Sequence, residues 1–156
     1  MTDHSIRYFA DDAAIRSVGE RFLSRSLPKA EWTHEAHLAT CLWLIVERPE
    51  IVVESNLPDL IRRYNESVGG VNDDTQGYHE TITQVYVSAI RDHLAERPAR
   101  EPLTDAVNAL LASDRGRRDW PLRFYSRERL SSVEARRSFV APDRQAVSMI
   151  RSDLST

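Results

Sequence analysis

The seven prolines of this 156-residue chain, together with its few glycines, cut it into stretches whose apolar residues recur at helical spacing. A proline carries no N–H and fixes its own backbone, so it stands in a helix's first turn or just beyond its end. That punctuation predicts a series of helices, and therefore an all-α fold. The first helix is expected after Asp11 or Asp12 as N-cap, with Ile15, Val18 and Phe22 on one face, stopping before Pro28. A second follows Thr33 as N-cap through "HEAHLATCLWLIVE" to Pro49. "EIVVESN" is ambiguous between a helical turn and a strand, because Ile51, Val52 and Val53 are β-branched.

"LPDLIRRYNES" reads as a third helix with Pro58 in its first turn, ended by Gly69 and Gly70. After the loop "VNDDTQG", a long fourth helix runs from Tyr78 to about Arg97, with Ile82, Tyr86, Ala89 and Ile90 on one stripe. "PLTDAVNALLAS" supplies a fifth. The remainder is expected to be a loop or extended segment and then a short helix capped by Ser131 or Ser132. The expected architecture is one compact bundle of five to six helices with an arginine-rich C-terminal segment packed on it. It forms a single domain over 1–156, with an ordered core over about 10–145 and short flexible termini.

Composition narrows the function classes. The chain is 41% hydrophobic and 29% charged, with a net charge of −3, so it has no global electrostatic attraction for nucleic acid or an anionic membrane. Its longest apolar run, "LWLIV", is too short to span a bilayer. The lone Cys41 can form neither an internal disulfide nor a multi-thiolate zinc site, which suits a reducing, cytoplasmic compartment. No nucleotide-cofactor motif is present.

Three of the five histidines share a placement. His34 and His37 open the second helix in "WTHEAHL", and His79 opens the fourth in "GYHET". Two histidines three apart on a helix can meet one cation. His-Glu-Ala-His is one residue short of the zinc-protease motif, so Glu35 does not inherit that motif's general-base role. If helices two, three and four run up, down and up, the three histidines meet at one end of the bundle, together with Tyr64, Asn65 and Glu66 and the loop carrying Asp73. Three imidazoles with a carboxylate from Glu80, Glu66 or Asp73 would suit a divalent metal such as Zn, Fe or Ni. Two helix N-termini at that end oppose a cation by about 1 kcal/mol, which coordination can override. Cys41, one turn below His37, reads as a small core residue rather than a nucleophile. His93 is remote from the trio, and His4 falls in the expected frayed terminus.

Between Arg115 and Arg144 there are nine arginines and no lysine. Most read as solvated charges paired with neighbouring carboxylates. In "PLRFYSRERLSS", aromatic residues anchor the segment, so Arg123 or Arg127 is expected to be held over a pocket as a clamp for a carboxylate or phosphate.

The motifs "WTHEAHLA", "RRYNES", "GYHETIT" and "PLRFYSRERLSSVEARRSFVAPD" resemble, in kind and order, a family of short, uncharacterised bacterial all-helical proteins. The resemblance covers residues 28 to 145. It implies that His34, His37, His79, Glu80 and the Tyr125–Arg129 segment belong to one shared pattern.

The leading expectation is a metal-dependent small-molecule hydrolase or lyase. His34, His37 and His79 would hold the metal, with Glu80, Tyr78 and Arg127 as catalytic groups and Arg123, Arg127, Tyr64 and Asn65 binding the ligand. The alternative is a non-catalytic module that holds an anionic metabolite with helix N-termini, histidine and arginine. The third is a structural or interaction protein whose histidines cap the core.

Overall fold

The computed structural model describes residues 5–144, and no strand occurs among them. Five long helices make the bundle: α1 (Asp12–Leu23), α2 (His34–Glu47), α3 (Val53–Ser67), α4 (Glu80–Ala95) and α5 (Leu103–Ala112). Two short ones follow, α6 (Arg127–Leu130) and α7 (Val133–Arg137). The protein is an all-α bundle, and no helix is long and apolar enough to cross a membrane. His4 and the chain beyond Arg144 lie outside the described residues.

The helix starts follow the capping chemistry. Asp11 Oδ1 accepts the Ala14 N–H at 2.8 Å, and Thr33 Oγ1 accepts the Ala36 N–H at 3.1 Å. α2 is apolar almost all round and is the central helix, packed against α1, α3, α4 and α5. Its tightest neighbour is α1, because Gly19 lets the ring of Trp43 lie directly on the α1 backbone. A Cβ at position 19 would stand 2.3 Å from that ring. Trp43 has little freedom to retreat. Its Nε1 donates to Glu47 at 3.1 Å, and Glu47 in turn takes two bonds from Arg16 at 2.9 and 2.8 Å.

α3 begins more than a turn earlier than expected, so Pro58 sits inside the helix. Burial explains the earlier start, because Val53 and Leu57, four residues apart, both enter the core. The Glu54 carbonyl, which would otherwise receive the N–H that Pro58 lacks, accepts Gln84 Nε2 of α4 at 3.1 Å instead. α4 is shorter than its apolar stripe suggested. His79 is its N-cap rather than a first-turn residue, and Tyr78 lies outside the helix.

The C-terminal segment is more helical than expected. Ser126 caps α6 and Ser132 caps α7. The segment has its own small core of Phe124, Tyr125, Ala135 and Val140, against which Val85 of α4 packs. Thr81 pins it to α4, donating to the Ser138 carbonyl at 3.0 Å and accepting the Val140 N–H at 3.2 Å.

Candidate functional site

The start of α2, the end of α3 and the start of α4 enclose a cavity of about 560 Å³ together with the loop between α3 and α4. Its lining includes Trp32 and His37, Tyr64 and Asn65, Tyr78 and His79. Asn72 holds the loop in place. Its Oδ1 accepts from Asn65 Nδ2 and from the Tyr78 N–H, both at 3.0 Å, and its Nδ2 donates to the Arg62 carbonyl at 3.0 Å. Gly77 must be glycine here, since its φ is +84° and a Cβ would meet the Val71 carbonyl oxygen at 2.3 Å.

One wall is an aromatic stack. Trp32 lies between Phe22, with ring centroids 4.5 Å apart and 11° between the planes, and His37, 4.0 Å away. Tyr64 leans on the same indole at 5.2 Å and fixes its own hydroxyl by donating to the Leu27 carbonyl at 2.8 Å. The His37 ring is set deep among protein atoms, yet its surface is exposed because it opens on the cavity. Burial pushes its pKa down to about 3, with the nearby His34 ring adding a small push the same way. His37 is therefore a neutral, flat, amphipathic wall at physiological pH.

His79 is fully committed. Its Nδ1 accepts the Ile82 N–H at 3.1 Å, and its Nε2 donates to the Leu130 carbonyl at 2.7 Å. Burial, and then the Arg136 charge, lower its pKa, consistent with a neutral ring. Tyr78 donates its hydroxyl to Glu80 at 2.5 Å, and desolvation followed by that carboxylate raises its pKa.

The expected trio does not assemble. His34 turns to a second cavity, where its Nε2 meets the Gly116 carbonyl at 2.8 Å and its ring stands edge-on to Tyr86. His34 and His37 lie about 60° apart around α2, enough for the two rings to face different neighbours. None of the proposed carboxylates lines the His37 cavity. Glu80 accepts from Tyr78 and Gln84, Glu66 accepts from Asn72, and Asp73 caps its own loop through Thr75 and Gln76. Among the described residues no three His, Cys, Asp or Glu side chains are grouped to hold a metal ion.

The expected arginine clamp also stands elsewhere. Arg123 and Arg127 line a separate cleft of about 380 Å³ with Arg117 and Arg144. Arg123 pairs with Asp114 at 2.9 Å and stacks on Trp120. The arginine that reaches the histidine cavity is Arg136, whose Nη1 donates to the Gly77 and Tyr78 carbonyls at 3.0 and 3.2 Å. Lys29 is the second cation in the lining, which contains no aspartate or glutamate.

Sequence reasoning missed Lys29, Trp32 and Arg136. Trp32 carried a signal, being an aromatic residue two positions before a strong helix start, whereas nothing distinguished Arg136 within its arginine run. Cys41 is a buried core residue whose thiol burial pushes up to about 12, and His93 is buried on the far side with Nε2 2.9 Å from the Ala106 carbonyl.

No protein-family model, curated protein or solved structure matches the chain.

Proposed function

We propose that the protein is a binding module for a small anion with a planar or apolar body, held in the cavity between His37, Trp32 and Arg136. The observation that carries this reading is the charge of the wall: Lys29 and Arg136 face the cavity and no carboxylate does, in a chain whose net charge is −3. The N-termini of α2 and α4 add partial positive charge at the same end. Arg136 is held by its Nη1 against two carbonyls, which leaves Nε and Nη2 to form the planar fork that suits a carboxylate or phosphate. The Trp32–His37 stack and Ile82 supply an apolar surface for the body of the ligand.

Binding is better supported than the hydrolase or lyase reading. A general acid or base works best with a pKa near the operating pH. His37 lies far below that range, His79 has both nitrogens engaged, and the hydroxyls of Tyr64 and Tyr78 are each donated to a fixed acceptor. A Zn, Fe or Ni ion at His79 would have to displace either the helix cap or the Leu130 carbonyl. It would also have only His37 as an imidazole partner in that cavity.

Fluorescence offers a test, because Trp32 lines the cavity whereas Trp43 and Trp120 do not. Indole-3-acetate and phenyl phosphate should quench Trp32 at least about tenfold more tightly than uncharged indole and phenol, as a charge-assisted contact implies. Arg136→Gln should abolish that preference. Equal affinity for charged and uncharged probes, or an Arg136→Gln variant that keeps the preference, refutes the reading.

A further inference from the structure

The cavity that takes His34 is separate from the His37 cavity and has a different electrostatic character. It measures about 370 Å³ and is bounded by α2, the end of α5 and the turn after it, with the N-terminal segment over its side. Four of its lining residues carry charge: Glu35, Asp119, Arg117 and Arg118. Two of those are already matched, since Arg117 grips Asp119 at 2.9 and 3.2 Å. The other two are unmatched. Glu35 is only 6% exposed, and its Oε1 is enclosed without any hydrogen-bond partner. Arg118 is exposed at the mouth, with no ion pair or hydrogen bond among the described residues.

A nearly buried carboxylate oxygen with no donor is costly, by about 1 to 3 kcal/mol or more for a charged group. Such a group calls for a cationic donor from outside. A simple cation does not fit, because it would leave Arg118 unmatched. A simple anion does not fit either, because Glu35 stands in the wall. Two donors, Glu35 and His34, are too few for a metal, and His34 Nε2 is already bound to the Gly116 carbonyl. What complements an unmatched negative group in the wall and an unmatched positive group at the mouth is a molecule bearing both charges. His34 lines the same cavity, and the charges of Arg118 and Glu35 both act on its ring. Ile6 and Leu111 line the same cavity with hydrocarbon.

We infer that this second cavity takes a small zwitterionic amino acid with a short hydrocarbon spacer, its ammonium group meeting Glu35 and its carboxylate meeting Arg118. The ammonium gives Glu35 the charged donor it lacks, and the carboxylate gives Arg118 a planar partner. The spacer lies against Ile6 and Leu111.

The experiment is a titration followed by backbone amide NMR, with 4-aminobutyrate and 6-aminohexanoate as probes and butyrate and butylamine as singly charged controls. At least one ω-amino acid should shift the Leu111, Gly116 and Arg118 amides saturably and bind more tightly than either control. Glu35→Gln, which is isosteric, and Arg118→Gln, on an exposed side chain, should each weaken it about tenfold. Arg118→Gln keeps the test sound should the buried substitution impair folding. Absence of a saturable shift with both ω-amino acids overturns the proposal. So does a folded Glu35→Gln or Arg118→Gln protein that binds as well as the wild type.

Discussion

Replacing His79 separates a structural histidine from a metal ligand, and the structure sets the size of the effect. In His79→Ala two bonds vanish together: the cap from Nδ1 to the Ile82 N–H at 3.1 Å, and the bond from Nε2 to the Leu130 carbonyl at 2.7 Å. Losing a side-chain N-cap costs about 1 kcal/mol. Leaving the Leu130 carbonyl without its donor in a half-buried setting costs about 1 kcal/mol more. The sum, about 2 kcal/mol, is a large share of a stability that in domains of this kind runs to about 5–15 kcal/mol. His79→Asn divides the sum, because asparagine is a good N-cap but is too short to bridge to Leu130. Its expected loss is about 1 kcal/mol. Urea denaturation followed by circular dichroism at about pH 7.5, where the imidazole is neutral, should rank wild type, Asn and Ala in that order with similar m-values. Chelator should leave the wild-type midpoint unmoved. A His79→Ala protein as stable as wild type, or a His79→Asn protein as damaged as His79→Ala, would refute the cap assignment. A wild type that chelator destabilises to the level of His79→Ala would restore the metal.

Stability should also depend on pH in a window set by the histidines. His34, His37 and His79 all have pKa values depressed by burial, so each binds its proton more readily in the unfolded chain. Their stabilising contribution is complete above about pH 6.5 and is lost progressively as pH falls below it. The paired carboxylates Glu47 and Glu54, with pKa values lowered by Arg16 and Arg91, add their losses only below about pH 4.3. Denaturation midpoints that stay flat between about pH 7 and pH 5 would contradict the depressed histidines. Gly19→Ala sets two effects against each other. Alanine gains about 1 kcal/mol of helix propensity, but its Cβ meets the Trp43 ring at 2.3 Å, and overpacking of this kind costs about 1–3 kcal/mol. The Glu47 bond that holds Trp43 places the cost at the upper end, so urea denaturation should read a net loss, and a stabilised variant would show that the α1–α2 contact is looser than described.

Periodicity made the five long helices legible, and capping chemistry placed the starts of α1 and α2, where Asp11 and Thr33 stand before apolar stripes. Two boundaries escaped for tertiary reasons. Pro58 lies within α3 because Gln84, distant in sequence, bonds to the carbonyl that proline leaves unmatched. α6 was hidden in "SRERL", whose helix is only four residues long and rests on the Ser126 cap and the small core around Tyr125. The topology that brings Tyr64, Asn65, Tyr78 and His79 near His37 followed from short connections between antiparallel helices. The partners of individual ring nitrogens did not, because a backbone carbonyl 51 residues away, at Leu130, leaves no trace in local sequence.

The three histidines share one placement but perform three different tasks, and that division determines what their cavities can hold. His34 anchors the turn at Gly116, His79 caps α4 and ties it to Leu130, and His37 closes an aromatic wall. Two of these tasks are best met by a neutral ring: the His79 cap needs a nitrogen that accepts, and the His37 ring, stacked against Trp32, is hard to charge. Positive charge in the His37 cavity therefore comes from Arg136, Lys29 and the helix N-termini. Guanidinium and ammonium groups keep their protons throughout the physiological range, whereas imidazole does not. The resulting lining carries two cationic side chains and a flat aromatic stack, and no carboxylate. An anion with an apolar body satisfies all three properties, whereas a divalent cation would meet charge of its own sign and a single available imidazole.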